Sequence, residues 1–168
     1  MTNTEAIKYR QELDDLEKKL REEKDKKKKK DLENSIEKKY EELLSKFDND
    51  IESKSIDNID EQSILFSEFF GRYLVSLDLS TSQIRNVYGE ILRLKMKGFD
   101  KNSLLLLKPR LAYSTERKGT DGSKEFRKKI EKALDKVIFS NENQEALFQN
   151  FANFFEAILA YHRSFGGK

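Results

Sequence analysis

The sequence of 168 residues contains no cysteine and no tryptophan, and it has a single histidine, His162, and a single proline, Pro109. The absence of cysteine excludes a disulfide framework, a cysteine nucleophile and any zinc site built on thiolates, and it suits a reducing compartment. One histidine excludes histidine pairs, Ser-His-Asp triads and multi-histidine metal centres. No segment reaches the ~18 consecutive apolar residues of a membrane-spanning helix. The opening MTNTEAIKYRQELDD carries no apolar signal-peptide core, so a cytoplasmic protein without a membrane partner is expected. The acidic residues lack EF-hand spacing, and the closing Gly-Gly-Lys lacks the upstream glycine, strand and following helix of a phosphate-binding loop. No metal, no cofactor and no catalytic residue is therefore expected, and the chain is read as not an enzyme.

What is abundant is charge, at 38% of residues. With one proline, such a composition favours long helices with solvated faces, and the fold class expected is all-α. The charge is uneven: residues 1–60 carry 15 Lys and Arg against 18 Asp and Glu, whereas residues 61–168 carry 18 against 13. Between Arg85 and Lys118 nine basic residues, among them Arg93, Lys95, Lys97 and Lys101, face only Glu90, Asp100 and Glu116. A local excess of this kind suits a polyanionic partner.

Residues 4–47 lack glycine and proline and place acids four residues before bases, as in Asp14 with Lys18, Asp15 with Lys19, Glu22 with Lys26 and Glu23 with Lys27. An apolar seam runs through Ala6, Tyr9, Leu13, Leu16 and Leu20, stops in KDKKKKKD, and resumes in another phase at Leu32, Ile36, Tyr40, Leu43 and Phe47. A short coiled coil and a helical hairpin both satisfy this pattern. The lysine run is read as a solvated helix face or turn, with an RNA contact as the alternative. Residues 1–55 are thus expected to form a charged helical or coiled-coil arm. The polar stretch DNDIESKSIDNID, 48–60, is the expected linker.

Residues 61–168 predict a five-helix bundle. The first helix, near 61–77, has a broad apolar face of Leu65, Phe66, Phe69, Phe70, Tyr73 and Leu77. Ser80 and Gln83 form a capping box for a second helix, with Ile84, Val87, Ile91 and Leu94 on its inner face, ending near Gly98. Asp100 caps a third helix that Pro109 should kink or restart, and its four adjacent leucines imply burial on several sides. GTDGS, 119–123, is read as a loop. A fourth helix follows through Phe126, Ile130, Ala133, Leu134 and Val137, with Lys124, Lys128, Lys132 and Lys136 as an exposed stripe. The last, about 143–163, is apolar over so much of its circumference that it must be central or covered by a partner. Tyr88 and Tyr161 lie on apolar faces and are read as core or interface residues, whereas Tyr113 is more open and can stack on a base.

Three segments taken in order, LSTSQIRNVYGEI (79–91), LLLKPRLAYSTER (105–117) and NFANFFEAILAYHRSFGGK (150–168), resemble the small-subunit family of type III-A CRISPR effector complexes (the Csm complex). The resemblance covers about residues 62–168. It implies a compact helical bundle whose copies stack head to tail as an inner filament, beside backbone subunits and a large polymerase-like subunit. It also implies a non-catalytic role: supporting the paired guide RNA and target RNA in antiviral defence. Carried onto this sequence, it points to Arg85, Lys108, Arg110 and Arg163 as the foremost RNA-binding residues, with Arg117, Lys168 and Tyr113 beside them; Lys97 joins them from the local basic excess. Such residues would bind phosphate oxygens while base pairing between guide and target reads sequence. Gly166 and Gly167 allow close backbone approach at the helix end, or form a plain C-cap. Two features depart from the family: Ser114, Thr115 and Glu116 stand before Arg117 where small residues are usual, and the N-terminal arm exceeds the family's length. A rival reading is a coiled-coil adaptor that touches only protein; an RNA-modifying enzyme ranks last.

Overall fold

The computed structural model describes residues 1–116 and 119–167, and within them every regular element is an α-helix. The chain divides into two compact units, Met1–Asn49 and Asp50–Lys168.

The first unit is a helical hairpin of α1 (Asn3–Glu22) and α2 (Lys26–Leu44). Of the two arrangements open to the sequence, the intramolecular one forms. Ala6, Tyr9 and Leu13 are buried on α1, and Ile36, Tyr40 and Leu43 on α2. Polar contacts fix the antiparallel register: Tyr9 Oη donates to Glu42 at 2.8 Å, Tyr40 Oη donates to Glu17 at 2.9 Å, and Lys39 Nζ lies 2.6 Å from Glu12. The phase shift in the seam is the turn itself. Glu23 to Asp25 leave the helical conformation, and the Asp25 carboxylate accepts from the backbone N–H groups of Lys27 and Lys28, both at 2.9 Å, starting α2. Glu22 and Lys26 therefore belong to different helices, and the expected pairs of Glu22 with Lys26 and Glu23 with Lys27 do not share one cylinder.

The second unit holds α3 (Ile51–Asp57), α4 (Glu61–Ser76), α5 (Thr81–Lys97), α6 (Lys101–Glu116), α7 (Asp121–Ile138) and α8 (Gln144–Ser164). The stretch expected as linker contains α3, which packs on α7 and α8. Its polar side chains are its anchor: Glu52 is fully buried, with Lys129 Nζ at 2.5 Å and Lys132 Nζ at 3.2 Å. Lys132 also meets Asp50 and Lys136 meets Asp57, each at 2.9 Å, so the α7 lysine stripe is not uniformly exposed; its Lys132 and Lys136 face α3.

Helix α8 is central, touching α3, α4, α5 and α7. Its Phe154 stacks on Phe66 of α4 with centroids 6.1 Å apart, and Phe155 meets Phe126 of α7 edge-on at 5.5 Å. Gly71 lets α4 approach: a Cβ there would lie 2.8 Å from the His162 backbone nitrogen and 2.9 Å from the Ile158 carbonyl. Helix α6 continues through Pro109 and does not restart there. Leu104, Leu107, Leu111 and Thr115 bury one face on both sides of the proline, while the carbonyl that loses its donor belongs to Leu105, an exposed residue open to water. Only two of the four adjacent leucines are buried; Leu105 and Leu106 are 44% and 52% exposed. Part of GTDGS is helical, because Thr120 caps α7 by accepting from the Ser123 N–H at 3.1 Å.

Candidate nucleic-acid interface

Helix α5 owes its start to Ser80, whose backbone N–H and hydroxyl donate to Gln83 Oε1 at 3.4 and 2.9 Å. Once Ile84, Val87, Ile91 and Leu94 turn inward, the helical period turns Ser82, Arg85 and Asn86 outward. Two clefts open on either side of this polar stripe and share Ser82 and Asn86 as their common wall.

The first cleft, about 490 Å³, is lined by Thr81, Ser82, Arg85, Asn86, Arg163 and Gly167. Two arginines 78 positions apart in sequence, Arg85 and Arg163, thus line one cleft. Arg85 and Arg163 are both exposed, and neither has an ion-pair partner among the described residues. Their meeting depends on His162, which is fully buried. His162 Nε2 donates to the Leu79 carbonyl at 2.9 Å, tying the end of α8 to the turn that starts α5. Burial holds the imidazole below its ordinary pKa, against a smaller opposing pull from the Leu79 carbonyl. The neutral ring thus carries its proton on Nε2.

The chain then folds back over that ring. Gly166, at φ +91°, donates to the Arg163 carbonyl at 3.1 Å and Gly167 to the His162 carbonyl at 3.0 Å, the paired bonds of a Schellman cap. A Cβ on Gly167 would lie 2.1 Å from His162 Cε1, so only glycine permits this approach. The glycines form the C-cap that the sequence offered, and the close approach they permit is to the His162 ring.

The second cleft, about 430 Å³, lies between α5 and α6, and Gln83, Glu90, Pro109, Arg110, Tyr113 and Ser114 contribute to it. Tyr113 is 73% exposed at its rim. Arg110 forms an ion pair with Glu90, which also receives Arg93 Nε at 3.1 Å. Lys108 faces away from both clefts: its ammonium lies 2.5 Å from Asp135 on α7 and 5.9 Å from the Phe139 ring centroid. Lys97 is exposed at the end of α5, apart from either cleft. Arg117 and Lys168 lie outside the described residues. The structure thus brings together Arg85 with Arg163 and Arg110 with Tyr113 across one stripe, and leaves Lys108 and Lys97 elsewhere. Tyr88 stacks on Phe155 at 5.9 Å with rings 6° from parallel, as a core residue does.

Sequence reasoning passed over Ser82, Asn86 and Glu90. Their signal was present, since 82, 86 and 90 recur every four residues opposite the apolar face of α5. Among the described residues no group of acidic or histidine side chains is arranged to hold a metal ion, and no helix is long and apolar enough to cross a membrane.

A family model for Csm2 Type III-A matches residues 57–168, which include both clefts. The chain belongs to the Csm2 Type III-A family. It is accordingly a subunit of a type III-A CRISPR complex, in which it acts with other subunits, and the family is one of structural subunits. The match leaves the α1–α2 hairpin outside it. No curated protein and no solved structure matches the chain.

Proposed function

We propose that this Csm2-family chain is a non-catalytic, RNA-binding subunit that supports the guide RNA–target RNA duplex through sequence-independent contacts to its backbone. The observation that carries the reading is the shared cleft lined by Arg85 and Arg163, two arginines with no ion-pair partner among the described residues. Arginine presents a planar fork of donors matched to phosphate oxygens, and such contacts position a protein on nucleic acid without reading bases. Tyr113 adds an aromatic surface on which a base can stack. Arg110, 46% exposed, is available on exchange of Glu90 for phosphate, because a surface ion pair contributes only ~0–1 kcal/mol. Lys108, Lys97, Arg117 and Lys168 are assigned auxiliary backbone contacts.

The exposed Leu105, Leu106 and Met96 supply apolar surface for neighbouring copies in an inner filament, beside the backbone subunits and the large polymerase-like subunit. The working compartment is the cytoplasm, where guide RNA is made. The α1–α2 hairpin, within residues 1–49, acts as an appended arm, and the small-subunit domain begins at residue 50, earlier than the expected boundary between 55 and 61, because α3 packs on α7 and α8. The adaptor alternative loses its main support, because the N-terminal seam that would pair with another chain is occupied within the α1–α2 hairpin.

The test is co-expression with a backbone subunit and a CRISPR array, followed by purification through a tag on this chain. A short CRISPR-derived RNA is expected to travel with the tagged complex and to be lost from the Arg85→Glu/Arg163→Glu variant. Undiminished RNA in complexes of the variant would refute the assignment.

A further inference from the structure

The α1–α2 hairpin has a tip of unusual charge. Lys24 and Lys26 to Lys30 are all exposed, and none has an ion-pair partner among the described residues. Two of the four acids in residues 21–31 are committed to the backbone: Glu23 accepts from the N–H groups of Lys24 and Asp25 at 2.8 Å, and Asp25 accepts from those of Lys27 and Lys28 at 2.9 Å. At ~3.6 residues per turn, five consecutive lysines encircle the start of α2 and cannot form a one-sided solvated face. They also stand at the helix N-terminus, where the macrodipole opposes cations; the Asp25 cap supplies one carboxylate there, and α2 has no further acid in its first turn. The arrangement works against the stability of its own helix, and an external anion would relieve it.

We propose that this tip is a second nucleic-acid contact, outside the matched Csm2 region, that takes the sugar-phosphate backbone of single-stranded RNA. A membrane surface fits less well. Residues 21–31, REEKDKKKKKD, contain no apolar side chain to enter a bilayer, and polybasic segments hold membranes when joined to a span or lipid anchor. A ring of lysines around the turn of a two-helix hairpin matches a flexible strand that can wrap it. The choice of RNA rests on the function proposed above; the choice of a polyanion rests on the tip alone.

The test uses the full chain and a labelled unstructured RNA, with affinity followed from about 50 to 200 mM salt. Replacing Lys26 to Lys30 with Gln keeps helix propensity. Each lost phosphate contact lowers the slope of log affinity against log salt by about 0.7, so losing three to five lowers it by about 2 to 3.5. The wild-type advantage then shrinks about 20- to 100-fold over that range, while thermal stability rises. Replacing the same five lysines with Arg should retain binding.

Three results would overturn the proposal: no RNA bound by the intact chain at about 50 mM salt, an unchanged slope in the Gln variant, or loss only of binding to phosphatidylcholine–phosphatidylglycerol vesicles with RNA affinity intact. The Arg85→Glu/Arg163→Glu variant separates the two sites. If it alone weakens RNA binding, the tip assignment fails and the cleft assignment stands; if only the tip variant does, the reverse holds.

Discussion

Replacing Glu90 with Gln should strengthen RNA binding. Glu90 is the one carboxylate in the cleft between α5 and α6, and it neutralises Arg110 while receiving Arg93 Nε at 3.1 Å. A phosphate bound by Arg110 would sit about 6 Å from that carboxylate; two unit charges at that distance repel by about 0.7 kcal/mol at the dielectric of water and about 3 kcal/mol at an effective dielectric of 20. Both Glu90 and Arg110 are partly exposed, so ionic screening over a Debye length of about 8 Å reduces the upper figure by roughly half. The wild-type Arg110 must also give up a surface ion pair worth about 0.2–1 kcal/mol before it meets phosphate, a cost the variant does not carry. The expected outcome is RNA affinity two- to fivefold higher, from about 0.5–1 kcal/mol of removed repulsion. Fluorescence polarisation of labelled RNA at several salt concentrations reads this directly, with the salt dependence steeper in the variant. Unchanged or weaker binding by a folded Glu90→Gln protein would refute the claim that Arg110 meets phosphate.

Other substitutions probe the scaffold under the site. His162→Ala removes a fully buried side chain and the donor to the Leu79 carbonyl, so thermal or urea unfolding should show a loss of about 2–4 kcal/mol. Because burial lowers the folded-state pKa of His162, the unfolded chain binds the extra proton. Stability should be full above the ordinary histidine value near 6.5 and decline as pH falls below it; urea midpoints between about pH 7.5 and 5 should show this fall, and His162→Gln should remove the histidine's share of it. Gly71→Ala should destabilise by about 1–3 kcal/mol, since the new Cβ meets α8 backbone at 2.8 and 2.9 Å. Gly167→Ala should weaken RNA binding by disturbing the cleft it lines, because the new Cβ would meet the His162 ring at 2.1 Å and force the backbone there to shift.

The sequence made the helices legible where burial and capping agree. Ser80 with Gln83, Asp100 and the inner face of α5 needed only local pattern, and each is found in the structure. Elements governed by tertiary contact were not legible. The polar α3 is a helix because Glu52 and Ser55 are buried and α7 supplies lysines some 80 residues later, a pairing that hydrophobic periodicity cannot reveal. Pro109 sits inside α6 because leucines on both sides of it are packed, overriding a local breaker. At the hairpin tip, charge pairs four apart supported helix across Glu23 to Asp25 while the phase change in the apolar seam allowed a turn; the Asp25 cap settles which of the two forms.

The candidate site followed the same division. Arg85 and Arg163 were singled out by three ordered motifs, but their sharing of a cleft depends on the His162–Leu79 bond, which joins distant parts of the chain. The engagement of Arg110 by Glu90 and of Lys108 by Asp135 was equally invisible, since both acids belong to helices other than α6. These pairs order the candidates: Arg85 and Arg163 lead, Arg110 follows after partner exchange, and Lys108 is peripheral.

The most direct test is the salt dependence of RNA binding by the purified chain and by its Arg85→Glu/Arg163→Glu variant. Loss of two backbone contacts should lower affinity and reduce the slope of log affinity against log salt by about 1.4 to 1.8, with the unfolding midpoint retained. Equal affinity and slope in the folded variant would contradict the assignment of that cleft to RNA.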